Sequence, residues 1–339
     1  MDVREALGIV AAGRTLTRSE AERAMGSVMA GEATPAQLAA LLAALAVRGE
    51  TVEEIAGFAT GLRAAAVAVA VGDGAIDTCG TGGDRSRSFN ISTVAAIVAA
   101  AAGARVAKHG NRAASSACGS ADVLEALGVR IDLGPESVAA CVRDVGVGFM
   151  FAPRFHPAMR HAGPVRREIG IRTIFNILGP LANPAGVTRQ LLGVPSAALG
   201  ERIVHVLREL GAERALVVHS ADGLDEISPS GPTRTWELRD GTISEGELTP
   251  EAVGLGRAPA DSVRGGDPAT NAEIARAVLS GETRDGARTA VLLNAGAACY
   301  IAGLASDVRA GVAVAAAAID GGAAAKTLER WIARSVTLS

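Results

Sequence analysis

No strong charge of either sign marks this sequence. Across 339 residues the formal net charge is −3 and the isoelectric point lies near 6.0. That balance excludes a general attraction to nucleic acid or to anionic membranes, so any basic residues that matter must be locally concentrated. Long apolar runs are missing too. Stretches such as Val312 to Ile319 fall well short of the roughly 18 residues that span a bilayer. The opening MDVREALG lacks the basic-then-apolar run of a secretory signal. Cysteine is scarce: Cys79, Cys118, Cys141 and Cys299 lie far apart with no CxxC pair, which fits neither a zinc site nor a disulfide framework. A soluble cytoplasmic protein with free thiols is expected. Aromatic residues make up only 3% of the chain while alanine abounds, which reads as helix-rich packing of small side chains.

Apolar residues amount to 49%, enough for a sizeable core, and the length allows two domains. Residues 1 to about 70 carry helix signals only. Thr17-Arg18-Ser19-Glu20 and Thr51-Val52-Glu53-Glu54 are capping boxes, and Thr34-Pro35 puts proline at a first helical position. Leu38, Leu41, Leu42 and Leu45 have the spacing of one buried helix face, closed by Gly49. From about residue 71 short apolar runs alternate with glycine turns and helical patterns. Strands are expected at 75–78, 105–107, 145–152 and 215–218, with helices over 91–102 and 201–210 and a largely helical end from Thr270. Such alternation implies an α/β fold: a mostly parallel central sheet flanked by helices, joined to a small all-helical domain. The expected boundaries are 1–70 and 71–339. Pro153 to Asn183, with four prolines and the basic cluster Arg160, Arg166, Arg167 and Arg172, is expected to cross back to the smaller domain and shape a cleft.

Four constellations carry chemistry. Gly80-Thr81-Gly82-Gly83-Asp84 follows an expected strand, and Asn90-Ile91-Ser92-Thr93 opens the next helix. Glycines let backbone N–H groups approach a phosphate, the helix N-terminus favours anions, and the hydroxyls can bind phosphate or metal. A plain tight turn is the alternative. Lys108-His109-Gly110-Asn111-Arg112, then Ser115-Ser116 and Gly119-Ser120, follows another strand. Lys108 offers a point charge and Arg112 a forked donor set, and the two loops would meet at one end of a parallel sheet. Asp225-Glu226 alone would be surface charge. Beside two phosphate loops it supplies the hard oxygens that Mg²⁺ needs. Arg166-Arg167 offers a bidentate partner for a substrate carboxylate, although a helix-surface role fits Arg167 as well as Arg166.

These residues resemble the anthranilate phosphoribosyltransferase family. The resemblance rests on GTGGD (80–84), NIST (90–93), KHGNRAASSACGSADVLEALGV (108–129), FAPRFHPAMRHAGPVRREIGIRTIFNILGPLANP (151–184) and Asp225-Glu226. It implies a homodimer of the nucleoside phosphorylase/phosphoribosyltransferase class III fold, with the active site between the domains. It also implies tryptophan biosynthesis as the setting, and Mg²⁺, anthranilate and phosphoribosyl pyrophosphate as ligands. By matching motif, Gly80, Gly83, Asp84, Ser88, Asn90, Ile91, Ser92, Thr93, Lys108, His109, Gly110, Asn111, Arg112, Ala113, Ala114, Ser115, Ser116 and Ser120 would line the donor site. Ser92, Asp225 and Glu226 would hold the metal. Gly80, Asn111 and Arg166 would contact anthranilate, with His109, Ala152 and Pro153 at its border. Arg166, Asn111 and Lys108 are the expected catalytic residues. Two positions depart from the family pattern: Arg85 where glycine is usual, and Met159 where some relatives have an aromatic residue. A pyrimidine nucleoside phosphorylase or a nucleic-acid-binding relative of the fold would share the architecture. The KHGNR string and the Arg166 region speak against the first, and the acidic balance against the second.

Overall fold

A computed structural model describes residues 1–83, 86–113 and 117–338. The chain opens with α1 (Val3–Ala11), α2 (Arg18–Ala30), α3 (Pro35–Arg48) and α4 (Val52–Ala64). Each starts in a capping box: Asp2 with Glu5, Thr17 with Glu20, Thr34 with Gln37, and Thr51 with Glu54. These exchanges satisfy N–H groups that a first helical turn leaves unpaired. α2 and α4 pack backbone to backbone at Gly57, where a Cβ would lie 2.2 Å from the Arg18 carbonyl oxygen. Glu54 is fully buried. It accepts from the Leu16 and Thr51 N–H groups, each at 2.9 Å, and pairs with Arg48.

The α/β region begins with β1 (Ile76–Gly80), α5 (Ile91–Ala101), β2 (Val106–Gly110), α6 (Ser120–Leu127), α7 (Pro135–Val145) and β3 (Val147–Phe151). The short helices α8 (Ala152–Phe155), α9 (Gly163–Ile169) and α10 (Phe175–Leu181) lead to β4 (Arg189–Gly193), α11 (Ala197–Glu209) and β5 (Arg214–Ser220). A hairpin, β6 (Thr233–Arg239) and β7 (Thr242–Leu248), precedes α12 (Pro268–Ser280), α13 (Gly286–Ile301), α14 (Val308–Asp320) and α15 (Ala323–Thr337). The expected strands and helices are present with small boundary shifts; Val145 ends α7 instead of starting β3. Neither β4 nor the hairpin was expected.

The strand order is β3-β2-β1-β4-β5-β6-β7. β1 to β5 are parallel, and β6 and β7 add antiparallel. The chain winds outward from β1 to β3, then returns to the far side of β1 to lay down β4 and β5. The order therefore reverses between β1 and β4, and open parallel sheets bind ligands outside the carboxyl ends of such a pair. Gly80 and Gly193 stand level with each other there.

Alternate side chains feed two cores, as strand geometry requires. Leu191, Leu216 and Val218 join α5, α13 and α15 on one face. Leu192, Ala215, Val217 and Trp236 join α11 on the other, in a cluster that continues into α1–α4, α9 and α10. The segment 153–183 thus lies against the N-terminal helices. The Val67 N–H donates to the Phe155 carbonyl at 2.8 Å and Arg63 Nε to the Leu181 carbonyl at 2.6 Å. All four cysteines are free and buried. Among the described residues no single helix is long and apolar enough to cross a membrane.

Candidate active site

The absence of two side chains creates the centre of the site. A Cβ at Gly80 would lie 2.5 Å from Asp225 Oδ2, and one at Gly193 only 1.6 Å from the Asp225 carbonyl oxygen. Paired glycines at the ends of β1 and β4 therefore let the β5–β6 loop settle directly on the switch point. The Gly82 N–H donates to Asp225 Oδ2 at 2.8 Å, and the Ser92 N–H to Glu226 Oε1 at 3.2 Å. Both carboxylates are about nine-tenths buried.

Polar side chains hold that loop in place. Asp222 Oδ2 accepts from the hydroxyls of Ser228 and Ser230, each at 2.6 Å. Ser220 Oγ donates to the Glu226 carbonyl. Asn294, fully buried on α13, accepts from the Ile227 N–H and donates to the Ile227 carbonyl, both at 3.0 Å. A side-chain amide has one acceptor and two donors, so Asn294 can satisfy one backbone unit in this way and still reach the Ala290 carbonyl.

The start of α5 faces the same place. Asn90 does not cap its own helix by side chain. Its amide instead donates to the Cys118 carbonyl at 3.1 Å and accepts from Asn271 at 3.0 Å, tying the two glycine loops together. The Thr93 hydroxyl, in the first turn of α5, is buried with no partner among the described residues. Lys108, almost fully buried, donates to the Thr78 carbonyl and lies 3.4 Å from Ser92 Oγ. Behind it on β1 is Asp77, whose Oδ2 accepts from Asn183 at 2.7 Å. Burial raises the Asp77 carboxyl to about 6, against the opposing pull of Lys108.

After β2, Ser120 Oγ donates to the Asn111 carbonyl at 3.2 Å, and Asp122 Oδ2 accepts from the Ala113 and Gly119 N–H groups at 2.9 Å. Gly110 is needed because a Cβ would lie 2.2 Å from Ser120 Oγ. Arg112, expected to offer its fork to phosphate, pairs with Asp122 at 3.0 Å and with Glu125. His109 contacts the Gly179 carbonyl of α10 at 3.2 Å, and its ring lies 5.0 Å from that of His156. Burial, then the neighbouring His156, pushes His109 down to about 3, so it is neutral.

On α9 the two arginines separate. Arg166 is half-buried with its guanidinium 5.1 Å from the Phe175 ring centre, and has no carboxylate partner among the described residues. Arg167 is exposed. Ser88 forms an isolated bridge with Arg264, Ile91 is buried at the start of α5, and Met159 lies in the turn Pro157–His161. Asp84, Arg85, Ala114, Ser115 and Ser116 fall outside the described residues.

Among the described residues no group of three or more histidines, cysteines or carboxylates could cage a metal. Two buried carboxylates beside the Ser92 hydroxyl are a donor set of hard oxygens that suits Mg²⁺ shared with substrate phosphates. Sequence reasoning missed Gly193, Asn294, Asp77 and Asn183. Only Asn294 gave a signal, a lone amide inside the apolar run Val291-Leu292-Leu293-Asn294-Ala295.

Comparison with known proteins places this arrangement in a class. Residues 4–66 match the helical bundle domain of a glycosyl transferase family, and residues 72–325 match its a/b domain. The chain is 56% identical to anthranilate phosphoribosyltransferase of Chloroflexus aggregans over 99% of both sequences. It is 58% identical to that of Thermomicrobium roseum, over 95% of this chain and 93% of the relative. The crystal structure of the Thermus thermophilus enzyme superposes with a TM-score of 0.93 at 46% identity, covering 97% of this chain and 99% of that one. The Saccharomyces cerevisiae enzyme in complex with phosphoribosyl pyrophosphate and Mg superposes at 0.91 with 26% identity, covering 99% and 98%. The chain belongs to the anthranilate phosphoribosyltransferase family.

Proposed function

We propose that the protein transfers the phosphoribosyl group of 5-phosphoribosyl 1-pyrophosphate to the amine of anthranilate, in tryptophan biosynthesis. The products are N-(5-phosphoribosyl)anthranilate and pyrophosphate. The observation that carries this reading is the buried pair Asp225-Glu226, fixed at the sheet's switch point against the glycine loop and the start of α5. Asp225, Glu226 and Ser92 would hold magnesium, which when bound supplies positive charge to the leaving pyrophosphate. The N–H groups of the glycine loop and of α5 and the buried Lys108 add fixed positive ends where that charge develops. Arg166, lacking a carboxylate of its own, takes the carboxylate of anthranilate, while Gly80 and Asn111 orient the amine. Catalysis is then positioning and electrostatics, with no side chain assigned as general base. The helical domain (residues 1–70, joined by a portion of 153–185) and the α/β domain (residues 71–339) form the two sides of the cleft. A cytoplasmic homodimer completes the proposal.

The test follows the loss of anthranilate fluorescence with donor and Mg²⁺ present, omitting each component in turn. Loss that needs all three supports the transferase. No loss, together with phosphate-dependent release of base from thymidine or uridine, would replace it with a phosphorylase.

A further inference from the structure

The donor loop after β1 is gripped at a single residue from two sides. The Gly82 N–H donates to Asp225 Oδ2 at 2.8 Å. The Gly82 carbonyl accepts from both Nη atoms of Arg172, each at 3.3 Å. Arg172 lies on the connector between α9, which carries Arg166, and α10, whose Gly179 carbonyl meets His109. Its guanidinium fills the side-chain space of Gly83: a Cβ there would lie 1.6 Å from Arg172 Nη1, and Gly83 has φ +81. The backbone conformation favours glycine at 83, and any side chain there would push this guanidinium aside.

Folding does not explain the contact. Arg172, Gly82 and Gly83 are all exposed, and a surface arginine on an exposed carbonyl adds little stability. Among the described residues Arg172 has no carboxylate partner, unlike Arg112 on the other loop. The peptide plane supplies a purpose. In a trans peptide the carbonyl of one residue and the N–H of the next point in opposite directions. Holding the Gly82 carbonyl toward the connector therefore turns the Gly83 N–H away from it and commits that donor to the loop's other side.

We propose that Arg172 is a positioning residue for the phosphoribosyl pyrophosphate site. By gripping the Gly82 carbonyl it fixes the Gly83 N–H as a phosphate donor and ties the donor loop to the segment bearing the acceptor's arginine. The proposal rests on the transferase reading above.

Arg172→Ala and Arg172→Lys are compared with the wild type by varying donor at saturating anthranilate, then the reverse, with thermal midpoints measured alongside. Failure of the wild type to need all three components would defeat the transferase reading itself; the variants test only the inference. Losing a hydrogen bond from a charged group predicts an about tenfold higher donor KM in Arg172→Ala. A positioning role further predicts kcat and anthranilate KM within about threefold of wild type, at an unchanged thermal midpoint. Lysine keeps one donor for the carbonyl and should recover some of the donor KM. An unchanged donor KM, equal rises in both KM values, a fall confined to kcat, or a loss that tracks a lowered midpoint would each overturn the proposal.

Discussion

Replacing Gly193 by alanine places one methyl group where the Asp225 carbonyl now lies. No left-handed φ is involved at this position, so the backbone itself accepts alanine, and the whole effect is steric. The new Cβ would begin 1.6 Å from the carbonyl oxygen and 2.5 Å from its carbon. β4 cannot retreat, because it is hydrogen-bonded to β1 on one side and β5 on the other. The β5–β6 loop must move instead, by roughly 1.4 Å to reach the closest separation that packed atoms tolerate. That shift is enough to break the 2.8 Å bond between the Gly82 N–H and Asp225. Misplacement on this scale costs about 10²-fold in rate, with a stability loss of about 1–3 kcal/mol from overpacking. Fluorescence assays over a magnesium titration, with circular dichroism and thermal melts, would separate the two effects. The expected outcome is a folded protein whose rate is strongly reduced and whose half-maximal magnesium concentration is raised. Near-normal rate and magnesium dependence in Gly193→Ala would refute the reasoning that the glycine pair sets the carboxylates.

Three further perturbations probe other regions of the molecule. Asn294→Ala strands the Ile227 N–H and carbonyl in the core; it should cost about 1–3 kcal/mol and weaken apparent magnesium affinity by about tenfold, and an unchanged magnesium titration would remove its supporting role. Glu54→Ala strips Arg48 of its carboxylate, leaving it only the Gly49 and Arg14 carbonyls, and strands two N–H groups among α1–α4. About 3–5 kcal/mol should be lost in denaturant unfolding, while KM values of the folded fraction stay put. His109→Gln concerns pH. Held down to about 3, His109 stabilises the fold above its ordinary 6.5, and that contribution drains as pH falls toward 3. Asp77, raised from 3.8 to about 6, acts oppositely: its contribution is complete below 3.8 and lost as pH rises through 6. Removing His109 takes away its share, while Asp77 and the neighbouring His156, itself lowered by burial, keep theirs. Between about pH 4 and 6 the variant should lose less stability on acidification than the wild type, by up to about 1.4 kcal/mol per pH unit. Parallel urea-unfolding curves for the two proteins would exclude that assignment.

Local rules made much of the molecule legible. The capping boxes at Thr17 and Thr51, proline after Thr34, and the glycine loops at 80–83 and 108–112 each report on neighbours within a few residues, and all stand in the expected elements. What depended on distant partners did not show. β4, Arg189-Gln190-Leu191-Leu192-Gly193, is buried from both faces and so lacks alternation. The hairpin strand β7 is mostly exposed and polar, with no apolar rhythm. Gly193 looks like an ordinary strand end until Asp225 is brought over it. The pairing of Arg112 with Asp122 and Glu125 on α6 was not anticipated, because spacing alone does not show which side chains of the next helix turn back toward the loop. Arg166 and Arg167 were indistinguishable until Phe175 packed beneath only one of them.

The level pairing of Gly80 and Gly193 also bears on how the molecule acquires its activity. β1 forms early in the chain, yet its partner strand arrives only after β2, β3 and the three short helices have been laid down, and the carboxylates come later still. Contacts of such long sequence separation carry a large loop-closure cost and form late. A refolding chain should recover helical signal first, then the burial of Trp236 on β6 against Gly200 of α11. Turnover should return only with or after that burial, so the catalytic assay doubles as a clock for completion of the sheet. Activity recovered before tryptophan burial would mean that the two halves of the sheet assemble in the opposite order.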